Sequence, residues 1–198
     1  MSRLIAVFDI DGTLANHSHR AALLRKRCNV CLHEPLPIGH HEPCPVCGST
    51  MSTPTQESWD AFLEPDLMLQ DPPIVAGVEL VHRFRDLGAY IAFITGRRED
   101  AHGEVTRDWL KMYAGRLDSE PLIMRCHTEE DISASVYKER AINTLKAHIG
   151  EDGTYLFFED DVHVFPVYDK HGIVIRCPHG LQHFMPPGPR YAEQTRNI

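Results

Sequence analysis

The sequence predicts an α/β protein with a mostly parallel sheet, helices on both faces and a small cysteine-rich insert. Three observations carry that prediction. Short apolar runs rich in β-branched and aromatic residues alternate with segments of helical period. The main runs end in clusters of polar or acidic residues. Between the first run and the first long helical pattern lies an irregular stretch, about 16–72, that holds Cys28, Cys31, Cys44 and Cys47.

The elements follow in order. Residues 4–9 (Leu-Ile-Ala-Val-Phe-Asp) read as a strand, and Gly12 lets the chain turn sharply after it. Beyond the insert, Pro72 and Pro73 start a helix over 74–87, and Gly88 suits its C-terminal cap. A strand at 89–95, a helix at 99–114, a short strand near 122–125 and a helix at 134–149 continue the alternation. A strand at 155–159, a short helix and a strand at 172–176 complete it. From Cys177 onward, Pro178, Pro186, Pro187 and Pro189 mark an extended tail. The predicted organisation is a core of residues 1–16 and 73–198 interrupted by an insert over 17–72.

With 198 residues, 42% of them hydrophobic, the chain is long enough for one sizeable core that buries about 70% of the surface of the unfolded chain. No stretch approaches the ~18 uninterrupted apolar residues of a membrane span. The N-terminal residues lack the charged, apolar and cleavage segments of a signal peptide. The expectation is a cytoplasmic protein with no membrane partner.

The chemistry gathers at the predicted strand ends. Asp9 and Asp11 lie two apart on an extended segment, so their side chains leave it on the same side. Two buried acids at that position repel one another unless a cation or a proton sits between them; a strand followed by an Asx-type turn with both acids solvated is the plainer alternative. The second long run ends in Thr95-Gly96-Arg97-Arg98, Lys138 falls early in the helical pattern from Val136 to His148, and the run Tyr155–Phe158 ends in Glu159-Asp160-Asp161. Open α/β sheets bind ligands outside the carboxyl ends of their strands. A hydroxyl, an ammonium and further carboxylates thus follow in an order that suits phosphate transfer, with a hard, oxygen-liganded cation favoured over zinc.

On these residues the chain resembles the haloacid dehalogenase (HAD) superfamily of phosphohydrolases, whose motifs are Asp-x-Asp-x-Thr, a strand-end Thr or Ser, a Lys and a terminal pair of acids. All four stand here in that order, from Asp9 to Asp161. The resemblance implies a HAD-like Rossmannoid core. It implies that Asp9 is the nucleophile that takes the phosphoryl group and that Asp11 protonates the leaving oxygen and then activates water. Thr95 would hydrogen-bond the phosphoryl oxygens, and Lys138 would neutralise charge shared by nucleophile and phosphate. Asp160 and Asp161 would complete a Mg2+ site with Asp9 and the backbone carbonyl of Asp11.

The insert carries its own pattern, Cys28-x-x-Cys31, twelve intervening residues, then Cys44-x-x-Cys47. Paired Cys-x-x-Cys turns at this spacing aim four thiolates at one tetrahedral Zn2+. Two disulfides are disfavoured by the absence of a secretion signal, and neither pair opens a helix after a strand as a thioredoxin-like redox pair would. His33, His40 and His41 lie between the pairs and offer substitute ligands. Cys126 and Cys177 read as ordinary buried or partly buried thiols. HAD enzymes carry a cap directly after the first catalytic strand, so the resemblance makes this a zinc-braced cap; a docking surface unrelated to the active site is the alternative.

The spacing around the later motifs resembles the phosphatase domain of phage-type polynucleotide kinase-phosphatases, over residues 4–16 and 74–177. That likeness implies a phosphorylated nucleotide or a nucleic-acid 3′ end as substrate, with Thr95, Gly96 and Arg97 near it. No phosphate-binding Gly-x-x-x-x-Gly-Lys-Ser/Thr loop is present, so the kinase half has no counterpart. A net charge of −8 and a pI near 5.9 argue against holding long nucleic acid mainly through phosphate contacts, although Arg20, Arg25-Lys26-Arg27 and Arg97-Arg98 form local basic clusters. A phosphatase of another small metabolite and a non-catalytic zinc-ribbon binding module are the other two readings.

Overall fold

Strands buried on both faces are apolar along their whole length rather than alternating, and this property assembles the core. The computed structural model describes residues 3–24, 47, 49, 55–129, 132–150 and 152–177. Along the chain the elements are β1 (Arg3–Phe8), α1 (Ser18–Ala21) running into a 3-10 turn (Ala22–Leu24), α2 (Gln56–Phe62), α3 (Pro65–Leu69), α4 (Val75–Asp86), β2 (Tyr90–Arg98) and α5 (Glu99–Ala114). There follow β3 (Leu122–Arg125), α6 (Ala134–Ile149), β4 (Gly153–Glu159), α7 (Phe165–Tyr168) and β5 (Ile173–Arg176). The chain divides into two compact units, one of Met1–Asn16 with Pro72–Ile198 and one of His17–Asp71.

In the first unit the five strands pair in the order β3-β2-β1-β4-β5, all parallel. Side-chain parity sorts them onto two layers. Ile5 and Val7 of β1, Ala92 and Ile94 of β2, and Tyr155 and Phe157 of β4 share a core with Tyr137, Ala141, Ile142 and Leu145 of α6 and with Tyr168 of α7. The opposite parity brings Phe8 to Phe93, Phe158 and Phe84, with the Phe8 and Phe158 rings stacked at 4.3 Å. Helices therefore cover both faces. The chain order steps outward from β1 to β3 and then crosses to β4 on the other side, so β1 and β4 flank a topological switch point at their carboxyl ends.

Most boundaries fall within two residues of the sequence expectation, and two differences are larger. β2 runs three residues past Thr95: the register slips between Thr95 and Arg98, and Arg98 then pairs with Arg125. The insert, read as irregular, contains the helices α1, α2 and α3 among its described residues. Its capping is legible locally, since the Thr55 side chain accepts from Ser58 N at the start of α2 and Pro65 opens α3. Within this unit Arg20 and Asp71 are fully buried and paired, Nε to Oδ1 at 2.8 Å and Nη2 to Oδ2 at 2.6 Å. Arg20 Nη1 also donates to the Phe62 carbonyl. Residues near the two ends of the insert are thereby tied together.

No described helix is long and apolar enough to cross a membrane. The Pro-rich stretch from Pro178, and Cys28, Cys31 and Cys44, lie outside the described residues.

Candidate active site

β1 delivers Asp9 to the switch point on the parity of Ile5 and Val7, hence toward α6, which carries Lys138. Past Asp9, the N–H groups of Thr13, Leu14 and Ala15 all donate to the Ile10 carbonyl, and Gly12 N donates to the Ala15 carbonyl. This tight turn needs φ of +84° at Gly12, a conformation that glycine adopts without strain. A Cβ there would also collide with the Asp160 carboxylate. The turn and the end of β4 thus meet over an atom that glycine lacks.

Lys138 is buried, and its ammonium spends its three protons on Asp9 Oδ1 (2.5 Å), Glu159 Oε2 (3.0 Å) and the Ile94 carbonyl (3.0 Å). Asp9, Glu159 and Asp160 place carboxylate oxygens within 4.8 Å of one another. Among the described residues, Asp9 Oδ2 and both carboxylate oxygens of Asp160 have no hydrogen-bond partner. Burial, reinforced by the charge of Glu159, pushes Asp9 up to about 7 even though Lys138 pulls the other way. Asp160 rises to about 9, through burial and then repulsion from Asp9 and Glu159. Lys138 is held well above the ordinary lysine value because its acidic neighbours outweigh its own desolvation. Negative charge exceeds what one ammonium neutralises, and the unengaged donors are hard oxygens. These residues fit a divalent cation such as Mg2+.

Thr95 closes the regular part of β2. Its buried hydroxyl oxygen accepts from Arg97 N at 3.3 Å, so its proton remains to donate. Gly96 is exposed, and a Cβ there would meet nothing within 4 Å. Arg97, expected beside the substrate, is buried and grips Asp11 with two bonds, Nε to Oδ2 at 2.9 Å and Nη2 to Oδ1 at 2.7 Å. Its Nη1 also reaches Thr106 Oγ1 on α5 at 3.5 Å.

The terminal acids sort differently from the expected Asp160–Asp161 pair. The cluster contains Glu159 and Asp160, whereas Asp161 turns to cap the following turn by accepting from His163 N at 2.9 Å. Glu159 has a legible signal that the motif reading passed over. It shares the strand parity of Tyr155 and Phe157, and that face packs on the helix of Lys138. Of the four insert cysteines only Cys47 is described, and it is exposed.

No protein-family model matches the chain, and no curated protein matches its sequence. Solved structures do match it. A chain of the Pnkp1/Rnl/Hen1 RNA repair complex aligns at TM-score 0.52 and 16% identity over 88% of this chain and 42% of that one. A second structure of the Pnkp1/Rnl/Hen1 complex aligns at TM-score 0.54 and 15% identity over 89% and 45%. A protein of unknown function from Bordetella pertussis Tohama I aligns at TM-score 0.52 and 16% identity over 99% and 96%. The chain spans less than half the length of the repair-complex chains it matches. At such identity the likeness is one of fold alone, and the shared fold is a Rossmann-like parallel α/β sheet.

Proposed function

We propose that this protein is a Mg2+-dependent phosphomonoesterase of the HAD type that works through an aspartyl-phosphate at Asp9 on a nucleotide-type phosphate, either a nucleic-acid 3′ end or a nucleoside monophosphate. The observation that carries the reading is the constellation of Asp9, Lys138 and Asp160, with one oxygen of Asp9 held by the ammonium and the other unengaged.

Asp9 Oδ2 would attack phosphorus while the bond from phosphorus to the ester oxygen breaks, and Asp11 would give that oxygen its proton. Water would then attack the phosphoryl group as Asp11 takes its proton, and the bond to Asp9 would break to release phosphate. Thr95 would donate to a phosphoryl oxygen, with the exposed Gly96 leaving room beside it. Lys138 would keep the Asp9 carboxylate in place and offset the charge that gathers between nucleophile and phosphate. Asp9, Asp160 and, by the family resemblance, the carbonyl of Asp11 would hold Mg2+, which when bound neutralises and orients phosphoryl oxygens.

The nucleotide preference rests on the motif spacing and on the fold shared with chains of an RNA repair complex. Zn2+ on Cys28, Cys31, Cys44 and Cys47 remains a proposal from their spacing, as does the role of the insert as a cap. The test is phosphate release with Mg2+ from 3′- and 5′-phosphorylated oligonucleotides, nucleoside monophosphates and sugar phosphates, with Asp9→Asn as control. Release that survives Asp9→Asn rejects the mechanism, and a preference for sugar phosphates rejects the substrate class.

A further inference from the structure

Glu159 is one of three clustered carboxylates, and by proximity alone it would be counted a third metal ligand. Its hydrogen bonds point elsewhere. The residue is buried at the end of β4. Oε2 accepts from Lys138 Nζ at 3.0 Å, and Oε1 accepts from the backbone N–H of both Asp160 and Asp161, each at 3.1 Å. Both oxygens are thus committed within the protein, whereas Asp160 has no hydrogen-bond partner for either of its own among the described residues.

We propose that Glu159 is a positioning residue and not a metal ligand: it clamps the Lys138 ammonium with one oxygen and the backbone that aims Asp160 with the other. The clamp joins the cation that holds Asp9 to the acid that would complete the metal site. Lys138 has no proton left with which to relax, since Asp9 Oδ1 and the Ile94 carbonyl take the other two. The Asp160 carboxylate lies over the missing Cβ of Gly12, so a small swing of the Asp160 backbone would move it against the turn after β1. This inference rests on the metal-dependent reading above for its significance, but its geometry stands apart from any turnover.

Glu159→Gln separates the two roles. The amide oxygen still accepts the two backbone N–H groups, while the NH2 group meets the ammonium with donors instead of an acceptor. The experiment compares the unsubstituted protein, Glu159→Gln and Asp160→Asn by Mn2+ binding, read by electron paramagnetic resonance, and by the 1H–15N resonance of the Lys138 ammonium, assigned with Lys138→Met. Expected are Mn2+ affinity within about threefold of the parent in Glu159→Gln, weakening of about tenfold or more in Asp160→Asn, and loss or displacement of the ammonium resonance in Glu159→Gln. Mn2+ binding that falls as far in Glu159→Gln as in Asp160→Asn would overturn the proposal. An ammonium resonance unmoved by Glu159→Gln would overturn it as well. Failure of the parent to bind Mn2+ would instead sink the metal reading, leaving the clamp to stand or fall on the resonance.

Discussion

Arg97 holds Asp11 in a two-pronged grip across 86 positions of sequence, its guanidinium buried while the carboxylate is partly open. Planar fork geometry of this kind is specific to arginine, because lysine offers a single ammonium in place of two parallel N–H groups. If Asp11 handles the proton of the ester, Arg97 fixes where that carboxylate sits. Arg97→Lys is therefore expected to lower kcat by about 10–100-fold with a much smaller change in KM. Steady-state kinetics on the best substrate of the release assay checks this, and a large rise in KM at unchanged kcat would show that Arg97 binds substrate directly.

The acid cluster makes a prediction about pH. Asp9 and Asp160 have folded-state values near 7 and 9, against 3.8 in the unfolded chain. The folded protein therefore keeps these protons where the unfolded chain releases them. Their contribution is complete below about pH 4 and is lost as pH rises through 7 and then 9. Lys138 stays charged throughout that window. Without divalent cations, stability should therefore fall steadily as pH rises from 5 to 9. Asp160→Asn, which removes one repelling charge, should flatten the slope. Thermal melts in a chelating buffer across this range provide the measurement, and Mg2+ should raise Tm more at pH 8 than at pH 6 while releasing protons to the buffer.

The parts of the fold that were legible share one physical basis. β1, β2 and β4 are buried on both faces, and such strands announce themselves as continuous apolar runs. Asp9 and Thr95 stood out as polar residues at the ends of those runs, and Lys138 could be placed only through the motif order. What escaped is equally specific. The extension of β2 to Arg98 depends on a register slip against β3, a tertiary event with no local signature. The Arg97–Asp11 and Arg20–Asp71 pairs join distant residues, and nothing in the spacing of either reveals its partner. Glu159 was readable from strand parity, yet the acids after it fitted a motif and drew attention from it.

Arg20 and Asp71 should matter for stability more than any surface pair. Both side chains are fully buried. Removal of one partner from a buried pair strands the other charge, at a cost of about 3–5 kcal/mol. Arg20→Ala and Asp71→Ala are each expected to fall in that range by denaturant unfolding. The doubly substituted Arg20→Met, Asp71→Leu protein should recover most of the loss, because two apolar groups leave no charge unpaired. Recovery no better than the single variants would mean that further bonds of Arg20, such as that to the Phe62 carbonyl, dominate.

Zinc in the insert is tested by stoichiometry. Four thiolates at Cys28, Cys31, Cys44 and Cys47 would hold one Zn2+ per chain, with apparent binding energies of about 10–16 kcal/mol as in zinc-finger peptides. Elemental analysis of protein purified without chelator should find one equivalent, and Cys44→Ser should reduce it. Release of Zn2+ by a thiol-modifying reagent should occur without loss of the Arg97–Asp11 or Lys138–Asp9 contacts, which belong to the other unit. Zinc absent from the purified protein, with the cysteines oxidised, would favour the disulfide alternative.

Gly12 is the position where fold and chemistry are hardest to separate, and two penalties should fall there together. Its φ of +84° is unfavourable for any residue with a Cβ. An added methyl group would also occupy the space of the Asp160 carboxylate. Strain of the first kind costs about 1 kcal/mol or slightly more, which a domain of ordinary stability survives. Displacement of Asp160 acts on the site itself. Gly12→Ala should therefore fold with a modest drop in Tm, yet lose Mn2+ affinity to a degree close to Asp160→Asn. A variant that keeps its metal affinity would show that Asp160 can bind from another rotamer, and that the close packing of the turn against β4 serves the fold alone.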